Sequence, residues 1–185
     1  MQRLYGRDDV LGQARRRVEQ ACAGHGQLLL FTGEPGIGKS RLAEHLAAEA
    51  ASRGARVAFG RAWEAGGAPA YWPWIQVFRD LQLGAEPLLE AATPGLGTNA
   101  DEARFVAFDR AARALRAAAS EQPLALVLDD LHAADAASLL LLLLLARDLA
   151  RSPILLIGTY RDAETRSAPE LAALLAKVAR HADVV

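Results

Sequence analysis

The chain has 185 residues, 52% of them hydrophobic, enough for one substantial core and too few for a second full domain. A net charge of -1 and a pI near 6.4 leave no global positive field to attract a phosphate backbone, so direct nucleic-acid binding is not expected. The single cysteine, Cys22, can form no internal disulfide, and Met1-Gln2-Arg3 runs into polar sequence, which points to the cytoplasm.

Taken in chain order, Asp8 is placed to cap a helix whose apolar positions Leu11, Ala14, Val18, Ala21 and Cys22 recur at helical spacing. Gln27 to Gly33 reads as a short buried strand, and a helix carrying Leu42, Ala43, Leu46, Ala47 and Ala50 follows Gly38. Ala55 to Trp63 is a second strand. Between Trp63 and Asn99, Gly and Pro break the pattern around a short helix, and Trp63, Tyr71, Trp72 and Trp74 are expected to pack this loop onto the sheet.

Asp101 to Ser120 is helical, with Phe105, Phe108, Ala112, Leu115 and Ala119 facing inward. Leu124 to Asp130 is a third strand. Asp135 is placed to cap the helix that carries seven consecutive leucines, Leu139 to Leu145. That run is far short of the roughly 20 apolar residues that span a bilayer, and a helix apolar on every side is one buried on every side. Pro153 to Arg161 gives a fourth strand, a helix covers about Ala168 to Arg180, and Ala182 to Val185 begins a fifth. Alternating strands and helices predict an α/β fold, a mostly parallel sheet of about five strands flanked by helices.

The chemistry concentrates in two segments. Gly33-Glu34-Pro35-Gly36-Ile37-Gly38-Lys39-Ser40 leaves a strand and opens a helix, the context in which G-x-x-x-x-G-K-[ST] cradles phosphates. Its glycines let main-chain amides wrap the anion, Lys39 neutralises β/γ oxygens, and the Ser40 hydroxyl is a Mg²⁺ ligand. Only two of the 21 basic residues are lysines, Lys39 and Lys177, so a lysine at this position suggests chemical need. Asp129 and Asp130 end the third strand, where ligands of open α/β sheets collect. Asp129 is placed to hold Mg²⁺ and Asp130 to polarise an attacking water.

If the fourth strand lies between the first and third, Thr159 or Arg161 is placed to sense a γ-phosphate; Arg161 reads equally as a surface arginine paired with Asp162 or Glu164. The clusters Arg15 to Arg17 and Arg110, Arg113 and Arg116 read as solvated helix faces. His25, His45, His132 and His181 show no ligand spacing, so no metal besides Mg²⁺ is expected.

The segments LYGRDDVL, GEPGIGKS, GRAWEAGGAPAYWPW, LVLDDLHAAD and ILLIGTYRDAE, in this order, resemble the AAA-type ATPase module of large bacterial LuxR-type transcriptional regulators. These are signal-transduction ATPases with numerous domains (STAND), relatives of the origin-recognition ATPases. The resemblance spans the chain and implies a P-loop NTPase three-layer sandwich over residues 1–185. It implies ATP and Mg²⁺ as cofactors, and other domains of the parent regulator or copies of the same chain as partners.

Carried across by position, Gly6 and Arg7 match an element near the adenine and ribose, Gly33 to Ser40 with the adjacent Arg41 the Walker A loop, Asp129 and Asp130 the Walker B acids, and Arg161 the arginine that reads the γ-phosphate. The family's usual acid three residues after Arg7 is replaced by Val10, with Asp9 one place early. The lid, repeat and helix-turn-helix segments of the full regulators do not follow, so a fragment or a truncated gene product is expected. The resulting picture is a nucleotide switch that hydrolyses ATP slowly. A non-hydrolytic, ATP-dependent assembly module and a small-molecule phosphotransferase are the alternatives.

Overall fold

In the computed structural model, residues 8–93, 99–165 and 168–184 are described. Helix α1 (Asp8–Cys22) leads into strand β1 (Gln27–Thr32), α2 (Lys39–Ser52) and β2 (Arg56–Arg61). Three helices follow, α3 (Trp72–Asp80), α4 (Glu86–Ala92) and α5 (Ala100–Glu121), before β3 (Leu124–Asp129). The chain closes with α6 (Ala136–Arg147), β4 (Ile154–Tyr160), α7 (Asp162–Thr165), α8 (Pro169–Ala179) and β5 (Asp183–Val184).

The strands form one parallel sheet in the order β2-β3-β4-β1-β5. β3 is buried at all six positions and β4 at all but Tyr160, as expected of central parallel strands covered on both faces. Side chains alternate between two cores. Leu29 and Phe31 of β1, Ala125 and Val127 of β3, and Leu155 and Ile157 of β4 pack against α1 and α2. Their neighbours Leu28, Leu30, Leu126, Leu128, Ile154 and Leu156 face α3, α4, α5, α6 and α8. The result is a three-layer sandwich whose strand C-termini share one edge.

The leucine helix α6 lies among α3, α5 and α8, with Leu139, Leu141, Leu142, Leu143 and Leu145 buried and Leu140 and Leu144 partly so. Asp135 caps it, accepting from the Ser138 amide at 2.9 Å and also from the Tyr71 amide at 3.1 Å. No helix of the described residues is long and apolar enough to cross a membrane.

Asp8 is the first described residue of α1, and its side chain, and with it the expected cap, lies outside the described residues. Several expectations are corrected. Phe105 is 68% exposed, because it sits at the margin of the α5 stripe centred on Ala111, Leu115 and Ala118. The Tyr71-Trp72-Pro73-Trp74 stretch starts a helix: Pro73 occupies the first turn of α3, where its missing amide hydrogen costs nothing. Tyr71 and Trp74 pack inward as expected, with the Trp74 indole donating to the Ser138 carbonyl at 3.0 Å, but Trp63 is exposed.

Candidate functional site

Beyond Thr32 the backbone turns through Gly33, Gly36 and Gly38 at φ of 144°, 76° and 95° before α2 begins. A Cβ at Gly36 or Gly38 would meet no atom within 4 Å, so conformation and not crowding demands glycine there. No described side chain caps α2, leaving its first amides directed into the turn. Lys39 is buried beneath the turn, and its Nζ donates to the carbonyls of Gly33 and Glu34, both at 2.9 Å. Burial, and then the positive charge of Arg161, pull the Lys39 ammonium below the ordinary lysine value. An anion in the turn would relieve both.

Asp129, at the end of β3, faces this turn. Its Oδ1 accepts from Ser40 Oγ at 2.8 Å, across 89 residues of sequence, and from Thr159 Oγ1. Its Oδ2 accepts from Arg61 Nε at 3.0 Å and from Arg61 Nη2. Burial pushes the carboxyl up, but the hydrogen bonds from Thr159, Arg61 and Ser40 outweigh it and hold Asp129 below the usual carboxylate value. An ionised carboxylate and a hydroxyl converging at the end of a glycine turn are the hard oxygen donors that suit Mg²⁺, so the residues present fit that ion. A recess of about 270 Å³ opens beside them, lined in part by Glu44, Arg61 and Gln76.

Asp130 takes a left-handed conformation (φ 59°, ψ 43°), and its amide donates to Thr159 Oγ1 at 3.0 Å. Burial and the neighbouring Asp129 charge push its carboxyl up. Adjacent acids are thus driven apart, one held as the anion and one made a better proton acceptor, the division of labour needed for acid–base work.

β4 does lie between β1 and β3, placing Thr159 and Arg161 beside the turn. The Thr159 hydroxyl is fully buried and bridges Asp129 to the Asp130 backbone, so it acts as a strut between the two acids. Arg161 donates to Glu64 Oε1 and Glu164 Oε1, each at 2.8 Å.

The fold therefore gathers Lys39, Ser40, Asp129, Asp130 and Arg161. Arg41 is exposed on α2, Glu34, Pro35 and Ile37 form the outer rim of the turn, and Arg7 lies outside the described residues. Sequence reading missed Arg61, Glu64 and Glu164 as site residues and took His132 as unremarkable. Each stands at or just beyond a strand's C-terminal end, which was the available signal.

Residues 3–157 match the model of the AAA ATPase domain. No curated protein sequence matches the chain. Among solved structures, the chain is similar to the Orc1 protein of Aeropyrum pernix in complex with DNA, with a TM-score of 0.55 and 16% identity over 94% of this chain and 44% of that one. It is also similar to PCH-2 of C. elegans, with a TM-score of 0.53 and 15% identity over 96% of this chain and 41% of that one. At such identities the likeness is one of fold, and the chain spans less than half the length of either protein. The family match over most of the chain, together with the glycine turn, buried lysine and paired acids, shows that this chain belongs to the AAA ATPase domain family.

Proposed function

We propose that the domain binds Mg-ATP and hydrolyses it slowly, serving as the nucleotide switch of a signal-responsive bacterial transcriptional regulator of the LuxR-type STAND group. The observation that supports this most directly is the Ser40–Asp129 hydrogen bond beside the glycine turn, which joins the two halves of a nucleotide site.

In this reading Lys39 Nζ exchanges the Gly33 and Glu34 carbonyls for phosphate oxygens, and the amides of the turn and of the α2 start hold the remaining charge. Ser40 and Asp129 would hold Mg²⁺, which would supply positive charge to offset that of the phosphates. Asp130 accepts the proton of the attacking water, helped by its raised proton affinity. Arg161 leaves Glu64 and Glu164 to meet the γ-phosphate. Those two ion pairs hold back Arg161, and Asp130 is one methylene shorter than a glutamate, so turnover is slow without a partner. The nucleotide then acts by favouring one conformation, which the rest of the regulator or a second copy of the chain reads.

Titration of labelled ATP and GTP with and without Mg²⁺, followed by steady-state phosphate release, tests the proposal. The expected result is Mg-dependent ATP binding with turnover well below one per second. Lys39→Ala should weaken ATP roughly 10- to 150-fold, the ~1.5–3 kcal/mol of a charge-assisted hydrogen bond. Absence of Mg-dependent affinity would overturn the site, and many turnovers per second without a partner would overturn the slow switch.

A further inference from the structure

Three neighbouring strands each send one side chain to a point beyond the phosphate turn. Glu64 follows β2, His132 lies on the single helical turn after β3 (Leu131–Ala133), and Glu164 belongs to α7 after β4. His132 Nε2 is 3.2 Å from Glu64 Oε1 and 3.0 Å from Glu164 Oε2. Neighbouring ligands of a first-row ion, each bound at about 2.0–2.2 Å, lie roughly 2.9–3.5 Å apart. Each of the two carboxylate oxygens already stands at that spacing from the imidazole nitrogen.

The other face of the ring gives an independent sign. The His132 side chain is only 2% exposed, yet its Nδ1 has no hydrogen-bond partner. With Nε2 lying between two carboxylates, the proton of a neutral ring sits on Nε2 and leaves a buried, unpaired acceptor at Nδ1. A metal ion at Nε2 reverses the tautomer and puts the proton on Nδ1. That atom faces Asp130 Oδ1 at 4.0 Å, the carboxylate partner that metal-bound histidines characteristically have. Glu64, Asp130 and His132 each bring a donor atom to within 4.8 Å of the others.

We propose that Glu64, His132 and Glu164 form a binding site for a divalent first-row transition ion, of which Zn²⁺ is the type, with Asp130 supporting the ring from behind. One imidazole and two carboxylates suit Zn²⁺, Co²⁺ or Ni²⁺ better than Mg²⁺, which selects oxygen ligands only. Glu64 and Glu164 have side chains 49% and 45% exposed, which gives the ion an entry path and leaves room for coordinated water. Arg161 is paired to both carboxylates, so the ion and the guanidinium compete for them. The site borders the nucleotide site through Asp130 and Arg161 but uses none of Lys39, Ser40 and Asp129, so loss of ATP binding at Lys39 leaves its ligands in place.

The test is competition for Zn²⁺ alone between the untagged, nucleotide-free chain and a chromophoric chelator, with Co²⁺ absorption as a second readout. The expected result is one equivalent bound with N/O ligation. Glu64→Gln with Glu164→Gln, both on half-exposed side chains, should weaken binding at least tenfold, as should His132→Gln. Arg161→Ala should tighten it several-fold by removing the competing cation. Lys39→Ala should bind Zn²⁺ as wild type does, which separates this result from any loss of ATP binding. Absence of stoichiometric Zn²⁺ binding, equal binding by the double glutamine variant, or weaker binding by Arg161→Ala would each overturn the proposal.

Discussion

Thr159→Val removes a hydroxyl while keeping the side chain's size, so it isolates the strut between the two acids. Thr159 is fully buried, and valine leaves no cavity. What is lost is a charge-assisted bond to Asp129, about 1.5–3 kcal/mol, and the acceptor of the Asp130 amide, whose unsatisfied burial costs about 1–3 kcal/mol. Ser40 and Arg61 still serve Asp129, so the loss stays within the sum of those two, about 2.5–6 kcal/mol at pH 7. Urea unfolding reads this as a midpoint lower by about 1–2.5 M.

The pH dependence gives a second check. Asp129 has a folded-state pKa below its ordinary 3.8, so its contribution is present above 3.8 and is lost as the pH falls through the folded value. Removing the Thr159 donor raises that folded value, and the difference counts only while Asp129 is ionised. The gap between wild type and variant should therefore be widest near neutrality and narrow on acidification. A gap below about 1 kcal/mol at pH 7, or one that widens on acidification, would refute this account of the strut.

Three further outcomes are expected. Burial and the Asp129 charge raise the Asp130 pKa, so phosphate release should decline on acidification at a pH above the ordinary 3.8, and Asp130→Asn should abolish release and that limb of the profile together. Gly60→Ala places a Cβ 2.1 Å from the Pro73 carbonyl oxygen, a backbone atom that cannot swing aside; overpacking of about 1–3 kcal/mol should lower Tm by roughly 3–10 °C in a thermal melt. Asp135→Ala uncaps α6 and strands the Tyr71 amide, which should cost about 2–4 kcal/mol in urea unfolding while leaving ATP affinity within about threefold.

Much of the architecture was legible because its signals are local. Glycines with positive φ, a lysine directly after them and an apolar run ending in two acids are all read within a few residues, and each landed where its pattern placed it. The placement of β4 was a conditional inference, and the sheet order satisfies the condition. What escaped was pairing across strands. Nothing near Glu64 announces that Arg161 will meet it, and Arg61 reaches Asp129 because the two are register partners on neighbouring strands. The segment from Ala68 to Trp74 misled for the opposite reason: proline breaks a helix interior, yet the same residue in a first turn helps begin one.

The insertion of β4 between β1 and β3 also dictates when the cradle can take shape. Thr32 pairs with Tyr160, so the phosphate turn leaves the ribosome more than a hundred residues ahead of the strand that must sit beside it. At about 5–20 residues per second the wait is roughly 6–25 s. Throughout it Leu28 to Phe31 have neither neighbour in the sheet, and the nascent chain carries the letters of a nucleotide site without its geometry. Competence thus arrives late and all at once, when a single central strand slots into place.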